Sequence, residues 1–406
     1  MTRNLATLAF SVLILFGGPS NPARASDQPE EVTERARQVH DRAIVIDTHD
    51  DTPQRMVFEK GFDIGRRNEN GAIDIPRMRA GGLDALFFSI WVPGDVDGPH
   101  AARRALQQID RVREAVRTHP KDLVLATSVA GIRRAAAQGK IAALMGIEGG
   151  HMIDDDLGLL REYATLGVRY MTLTHSLNTS WADSSGDQPA HDGLTPFGKE
   201  VVREMNRLGV MVDVSHVSDK TFYDALAASA APVIASHSSC RAVCNHPRNM
   251  TDDMLRALAK NGGVIMINFN AEFVSEEVRS ASQAVNMHAT AETEANAKCA
   301  KDEACKIFEI QRLYYEAMGS GHLPKATWEK ILEHLDHAAQ IAGVDHVGLG
   351  SDFDGAVMPL GMEDASKLPR LTGALLKKGY TEKNITKILG GNLLRVMEQV
   401  EAARDR

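Results

Sequence analysis

The sequence predicts an α/β fold, a (β/α)8 TIM barrel with a helical insertion before the last strand. Apolar runs of four to eight residues recur along the chain with amphipathic segments between them, a pattern typical of parallel strands buried on both faces. Six of these runs end at a His, Asp or Glu. Because the carboxyl ends of barrel strands meet at one rim, we expect these polar side chains to form one site.

Eight apolar runs supply the predicted strands. They cover residues 43–46, 85–92, 141–147, 170–174, 210–215, 232–236, 263–269 and 346–351. Amphipathic segments between them predict helices over 101–118, 157–166, 195–208, 251–260 and 326–342. Glycines at 81–82, 262–263 and 343 are expected to end helices. A closing helical segment, 381–402, is expected to break at Gly390 and Gly391.

The spacing between the seventh and eighth runs is unusually long. It amounts to roughly 75 residues, against about 30 for a minimal strand–helix–strand unit. The excess, about 271–324, is rich in Glu, Ala and Lys, and we expect it to be a helical insertion on the barrel rim. Cys299 and Cys305 lie in it and are expected to pair. Cys240 and Cys244, a C-x3-C pair without a second such pair, are expected to be structural.

The amino-terminal 25 residues predict a secretory signal peptide. Arg3 precedes an apolar run at 5–16, and Ala23-Arg24-Ala25 forms a small-residue cleavage site. The run of 12 residues is too short to span a bilayer, which needs about 20. The polar segment 400–406 does not resemble a lipid-anchor signal. We therefore expect a soluble exported protein, periplasmic or secreted, with one (β/α)8 domain over 26–406 and no membrane anchor after signal cleavage.

The charge pattern argues against a nucleic-acid partner. The net charge of this 406-residue chain is −8, and no cluster of Lys and Arg is longer than two residues. A basic patch is the usual mark of a protein that binds a phosphate backbone. We interpret the negative charge as a contribution to solubility.

Five side chains of metal-ligand type lie at four predicted strand ends: His49, Asp51, Glu148, His216 and His237. A single histidine at a strand end is usually a hydrogen-bonded core residue, but five ligand-type residues on one rim favour a metal site. Three imidazoles and two carboxylates suit two zinc ions that share one carboxylate. Such a pair polarises a carbonyl and activates water, which predicts a hydrolytic centre.

Two other patterns resemble known functional motifs but lack residues that those motifs require. Residues 352–355 begin like a calcium loop, but Ala356 and Val357 occupy a ligand position and the obligatory glycine position. Residues 333–337 are not an H-E-x-x-H motif, and we expect His334 and His337 to lie on a solvated helix face. The sequence contains no G-x-S-x-G elbow of a serine hydrolase.

Seven sequence blocks together resemble the renal (membrane) dipeptidase family, zinc dipeptidases of the amidohydrolase-like barrel superfamily. The blocks are His-Asp-Asp at 49–51, Gly-Ile-Glu-Gly-Gly-His at 146–151, Arg-Tyr-Met-Thr-Leu-Thr-His at 169–175, Asp-Val-Ser-His-Val-Ser at 213–218, Ser-His-Ser-Ser at 236–239, Arg-Asn at 248–249 and Gly-Leu-Gly-Ser-Asp-Phe-Asp-Gly at 348–355. They occur in order over about 44–398, and the insertion departs from the family pattern. The resemblance implies that 26–406 is a single metallopeptidase domain.

The resemblance also implies a role for each site residue. One zinc ion would bind His49, Asp51 and Glu148, and the other would bind Glu148, His216 and His237, so that Glu148 bridges the two ions. His175 would bind the substrate and the developing oxyanion. Arg248 would bind the terminal carboxylate of the substrate, and Asp352 would bind substrate and transfer the proton from the attacking water to the leaving amine.

These expectations point to a zinc dipeptidase that cleaves dipeptides, including those with a C-terminal D-residue, by means of a metal-bridging hydroxide. The partners would be small dipeptides, and the family implies a homodimer. One alternative is a metal-dependent lactone or cyclic-amide hydrolase of the same barrel superfamily. A second is a non-catalytic exported peptide binder, which would not need all five metal ligands.

Overall fold

The eight predicted apolar runs form an eight-stranded parallel barrel, which confirms the predicted fold. In the computed structural model of the chain, the structure describes residues 32–300 and 302–404. The strands are β1 (Ile46–Asp50), β2 (Ala85–Trp91), β3 (Leu123–Leu125), β4 (Ile141–Glu148), β5 (Val168–Thr172), β6 (Met211–Asp213), β7 (Ile234–Ser238), β8 (Val264–Ile267) and β9 (Val347–Leu349). The barrel order is β1-β2-β4-β5-β6-β7-β8-β9. The predicted signal peptide lies outside the described residues.

The barrel closes between β1 and the segment that follows β9. Asp50 and Phe353 form a parallel bridge. The backbone N–H of Asp51 donates to the carbonyl of Phe353 at 2.8 Å, and the N–H of Asp352 donates to the carbonyl of His49 at 3.0 Å. The closing contacts therefore hold three of the predicted site residues side by side.

Strand β3 is the one strand of the described chain that the sequence did not predict. It pairs with the first half of β4, where Leu123 lies opposite Ile141. The strand has only three residues, and its short apolar run does not stand out against the neighbouring helices.

Helices connect the strands and begin and end at residues with the expected capping chemistry. The helices are α1 (Glu34–Arg42), α2 (Thr52–Phe58), α3 (Ile75–Ala80), α4 (Gly98–Thr118), α5 (Val129–Ala137), α6 (Leu157–Leu166), α7 (Pro196–Leu208), α8 (Asp219–Ala228), α9 (Asp252–Asn261), α10 (Ala271–Val274), α11 (Glu276–Ala284), α12 (Met287–Cys299), α13 (Glu303–Ser320), α14 (Glu329–Ala342), α15 (Pro369–Lys377), α16 (Glu382–Thr386) and α17 (Asn392–Ala403). The side chain of Thr195 caps α7 by accepting the N–H of Gly198 at 3.2 Å. Helix α9 ends at Gly262, whose φ of +85° is left-handed, as the sequence predicted. The predicted break at Gly390 is confirmed, since that residue interrupts the helical backbone before α17.

Alternating side chains of the strands divide the core into two layers. Ile46, Phe87, Leu144, Tyr170 and Ile234 come from five strands and belong to one buried cluster, which fills the barrel interior. The intervening residues of the same strands pack against the helices. Along β2 and β4, the side chains that face the barrel interior include polar ones near the carboxyl ends of the strands, namely Ser89 and Glu148.

The predicted insertion, about 271–324, is helical and lies between β8 and α14. Helices α10 to α13 form it and enclose a small core of their own that includes Val278, Tyr314 and Met318. The predicted disulfide between Cys299 and Cys305 is present. Cys240 and Cys244 are buried free thiols. None of the described helices is long and apolar enough to cross a membrane.

The prediction that His334 lies on a solvated helix face is wrong. Its side chain is fully buried. Both ring nitrogens have partners there: Nδ1 accepts the N–H of Cys240 at 2.9 Å, and Nε2 lies 3.2 Å from the carbonyl of Val274. His334 thereby joins α14 to α10 and to the loop after β7. In the sequence, the spacing of His334 from the apolar residues Ile331 and Leu335 already places it on the inner face of the amphipathic helix α14, which indicates burial.

A buried carboxylate joins the barrel closure to α2. Asp354 is 3% exposed, and its oxygens accept the hydroxyl of Thr52 at 2.8 Å and the N–H of Ala72 at 2.6 Å. The guanidinium of Arg55, which is also buried, lies 3.5 Å away. Removing one partner of a buried ion pair leaves the other charge without compensation.

We therefore expect Asp354→Ala to lower the free energy of unfolding by about 3–5 kcal/mol. Glu398→Ala is the matched control, because it breaks an ion pair with Arg133 in which both side chains are about half exposed, and it should cost less than about 1 kcal/mol. Urea denaturation measures both values. Equal losses in the two variants would show that Asp354 contributes no more than a surface charge.

Candidate metal centre

The carboxyl ends of the strands bring all the predicted site residues to one rim of the barrel. His49 and His237 lie within β1 and β7, and Glu148 is the last residue of β4. The remaining predicted residues follow strands: Asp51 after β1, His175 after β5, His216 after β6, Arg248 after β7 and Asp352 after β9.

The carboxylate of Glu148 is surrounded by imidazoles. Its Oε1 lies 2.9 Å from the Nε2 of His216, 3.2 Å from that of His237 and 3.7 Å from that of His175. Its Oε2 lies 3.2 Å from the Nε2 of His49. A carboxylate with imidazoles on both oxygens has the arrangement required to bridge two ions.

Two further carboxylates complete the set on the side of His49. Ligand atoms of His49, Asp51 and Asp352 all lie within 4.8 Å of one another. The Nε2 of His49 and the Oδ1 of Asp51 are buried and have no hydrogen-bond partner. Buried polar atoms are nearly always paired, so these unpaired atoms fit a bound metal ion. Nitrogen and oxygen donors in this combination suit zinc.

Two β-bulges aim the histidines of β1 and β7. From Asp47 to Asp50 the chain of β1 advances three residues while its partner β2 advances two, so β1 contains one extra residue. Strand β7 contains one extra residue relative to β8 between Ala235 and Ser238. Regular alternation from the inward-facing Ile46 and Ile234 would turn His49 and His237 toward the helices. The extra residue in each strand instead directs these side chains into the barrel mouth.

A second set of polar residues orients the imidazoles. The Nδ1 of His49 lies 2.8 Å from the hydroxyl of Tyr170. The Nδ1 of His237 lies 2.8 Å from the Oγ of Ser236, which donates to Asp213 at 2.6 Å. Partners on Nδ1 fix the ring and leave Nε2 facing Glu148.

These outer residues were not predicted as part of the site, although the sequence contains signals for them. Asp213 interrupts an apolar strand, and a charge there needs partners. Gly146 interrupts another strand, and a Cβ at this position would overlap the ring of Tyr170. Gly146 therefore gives Tyr170 the space to reach His49. Similarly, a Cβ on Gly355 would overlap the carboxylate of Asp51.

The electrostatics of the cluster favour cations. Desolvation opposes the charged form of His49, but the carboxylates of Glu148, Asp51 and Asp352 outweigh it and raise the pKa of His49 to about 10. Burial raises the pKa of Asp51 and of Asp352, and the neighbouring carboxylate of Glu148 raises both further. The pKa of Glu148 itself is held well below its usual range, because His49, His216 and His237 outweigh the effect of burial.

Two ligand-type residues adopt left-handed backbone conformations. His216 has a φ of +66° and Asp352 a φ of +67°, a region that few residues other than glycine occupy, although His and Asp enter it more often than most. Such strain concentrates at functional sites, where the surrounding structure enforces it. The strained backbone turns both side chains toward Glu148 and His49.

A cavity of about 1040 Å³ opens over the cluster. Its wall includes Glu148, His216, His175, Arg248 and Asp352, and residues of α11 to α13 cover it from the insertion. The side chain of His175 is 19% exposed, and burial lowers its pKa to about 4. A neutral imidazole there can donate a hydrogen bond to a substrate oxygen.

Arg248 lies beside the cluster rather than in it. Its Nη2 donates to the carbonyl of His237 at 3.0 Å, and its Nε is buried without a partner. The Oδ2 of Asp352 accepts the side-chain N–H of Asn268 at 2.9 Å. The cavity therefore offers a guanidinium, an imidazole and a carboxylate around the candidate metal ligands.

Solved structures of similar fold include peptidases. The probable dipeptidase PvdM of Pseudomonas aeruginosa superimposes with a TM-score of 0.78 at 28% identity, covering 93% of this chain and 100% of that one. A metallopeptidase of Rhodobacter sphaeroides, solved with a phosphinate mimic of the dipeptide L-Ala-D-Ala, has a TM-score of 0.71 at 27% identity and covers 88% of this chain and 99% of its own.

Sequence comparison agrees with the structural one. Dipeptidase 3 of Mus musculus is 35% identical over 372 residues, which cover 89% of this chain and 65% of the mouse protein. The chain thus spans slightly less than two thirds of the length of that relative. Residues 33–406 match the family model for membrane dipeptidase, peptidase family M19. The chain belongs to the membrane dipeptidase family, M19.

Proposed function

We propose that this protein is a dipeptidase that hydrolyses the peptide bond of dipeptides with the help of two zinc ions. The carboxylate of Glu148, with four imidazole nitrogens 2.9–3.7 Å from its oxygens, is the observation that supports this most strongly. His49, Asp51 and Glu148 would hold one ion, and Glu148, His216 and His237 the other. When bound, such ions polarise a carbonyl and lower the pKa of water.

Arg248 would limit the substrates to those with a carboxylate next to the scissile bond. Its side chain is half-buried, lines the cavity beside His237 and forms no ion pair with a carboxylate in the described part of the chain. A guanidinium forms two parallel hydrogen bonds with a carboxylate, which fixes the position of the substrate. A dipeptide always meets this requirement, because its one peptide bond lies beside its free C-terminal carboxylate.

His175 and Asp352 would assist the reaction from opposite sides. The Nε2 of His175 lies 3.7 Å from Glu148 and can donate to the oxygen on which negative charge develops. Asp352 lies against His49 and Asp51 and is held by Asn268, so its free oxygen can accept a proton from water and pass it to the leaving amine.

We further propose that the substrates include dipeptides with a D-residue at the C-terminal position. A structural neighbour was solved with a mimic of L-Ala-D-Ala. The cavity of about 1040 Å³ is large enough for side chains of either configuration.

A screen of the zinc-loaded protein against L,L-, L,D- and D,D-dipeptides and a set of lactones tests this function. We expect release of free amino acids from L,L- and L,D-dipeptides, because Arg248 and the metal ligands then flank the peptide carbonyl. Ninhydrin or chromatographic detection measures the products. Lactone opening without dipeptide hydrolysis would contradict the proposal.

We expect Glu148→Gln to lower the metal content from about two ions per chain to less than one. The amide removes the negative charge that both ions would share, while it keeps the size of the side chain. Glu204→Gln makes the same change on α7, where the carboxylate bonds Arg161 and Arg207. Elemental analysis of the purified proteins measures zinc, and an unchanged content in Glu148→Gln would refute the bridging role.

We expect the wild-type protein to hydrolyse a dipeptide with a kcat/KM about 10- to 150-fold higher than that of its C-terminal amide, the range given by losing one charged hydrogen-bond contact. Arg248→Met should remove most of this difference. Arg256→Met, on the exposed side of α9, serves as the control and should retain it. Equal rates of the wild-type protein on both substrates would remove the role given to Arg248.

A further inference from the structure

A second arginine lies on the wall of the cavity opposite Arg248. Arg104 belongs to α4, which follows β2, whereas Arg248 follows β7. In the barrel order, β2 and β7 are four places apart among eight strands. Strands four places apart lie across the barrel from each other, so the segments that carry the two arginines line the cavity from opposite sides.

The guanidinium of Arg104 has no polar partner within the part of the chain that the structure describes. Its Nε and Nη2 are buried without a hydrogen bond, and its side chain forms no ion pair with any residue in 32–300 or 302–404. Its guanidinium carbon lies 5.3 Å from the ring centroid of Phe58, a contact that positions the group but satisfies none of its N–H donors. On the same wall, the Nε1 of Trp91 is also buried without an acceptor.

Other arginines of this cavity have an evident partner or role. Arg279, on the insertion, bonds Glu276, and Arg248 is assigned to the C-terminal carboxylate of the substrate. Buried cations are normally paired, so an unpaired guanidinium in a cavity wall indicates an anionic ligand. A dipeptide bound to Arg248 by its C-terminal carboxylate directs its amino-terminal residue toward the opposite wall.

We propose that Arg104 determines specificity by binding a carboxylate on the side chain of the amino-terminal residue. This inference rests on the proposed dipeptidase function. The enzyme then prefers dipeptides that begin with Glu or Asp over those that begin with Gln or Asn. Substrates that begin with Lys or Arg are disfavoured, because two positive charges would meet in a partly desolvated site.

The test compares L-glutamyl-L-alanine with L-glutaminyl-L-alanine, which differ by one charge at equal size. We expect a kcat/KM at least about tenfold higher for the glutamyl substrate in the wild-type protein, as one charge-assisted contact provides. Arg104→Met keeps the packing against Phe58 and should bring the ratio close to one. Arg104→Lys should keep part of the preference, and Arg104→Glu should shift it toward L-lysyl-L-alanine.

Arg103→Met is the matched control, because Arg103 is exposed on the same helix and should leave the ratio unchanged. A wild-type ratio near one, with L-alanyl-L-alanine still hydrolysed, would overturn the role of Arg104 and leave the dipeptidase function intact. If no dipeptide is hydrolysed, the proposed function fails, and calorimetric titration with the same two dipeptides decides the role of Arg104. Tighter binding of the glutamyl dipeptide that is lost in Arg104→Met supports the role, and equal binding of both dipeptides overturns it.

Discussion

The carboxylate of Glu148 is only 4% exposed, and its position at the end of β4 governs the arrangement of the whole barrel mouth. A buried carboxylate is costly unless positive charge or hydrogen-bond donors surround it. Here the donors come from strands on both sides of the barrel, which only closure brings together. The contacts between β1 and the segment after β9 therefore contribute to the site as well as to the fold. Loss of closure would remove contacts that hold His49, one of the four imidazoles around Glu148.

The sequence predicted which residues lie close together at the barrel rim, but it did not predict the orientation of their side chains. Each of the eight predicted apolar runs forms a barrel strand. These strands were predictable because a strand buried on both faces consists almost entirely of apolar residues. The aim of His49 and His237 depends on bulges in β1 and β7. A bulge is set by the pairing of two strands distant in sequence, so alternation within one strand cannot predict it. From alternation alone, both imidazoles would have pointed into the helix layer.

Residues that support the ligands were harder to recognise than the ligands themselves. Tyr170 fits an apolar strand, so its residue type does not indicate a role in the site. The structure shows that its ring packs over Gly146, which has no side chain, and that its hydroxyl reaches His49. Asp213 supports His237 through Ser236 in the same way. These residues act through another side chain, so their type carries no metal-ligand signature. Their sequence signal is an exception to the local pattern, a glycine or a charge within an apolar strand.

The strand order also bears on the substrate length that the proposed function implies. Arg248 follows β7 and Arg104 lies on the helix after β2, so the cluster around Glu148 lies between two cationic walls. A chain that continued past the carboxyl side of the scissile bond would present a neutral peptide to Arg248 and leave this guanidinium desolvated without compensation. Helices α11 to α13 reduce the space above the same cavity. Under the proposed role of Arg248, a peptide extended past the carboxyl side of the scissile bond would therefore be disfavoured by an uncompensated charge at one wall and by the cover that the insertion provides.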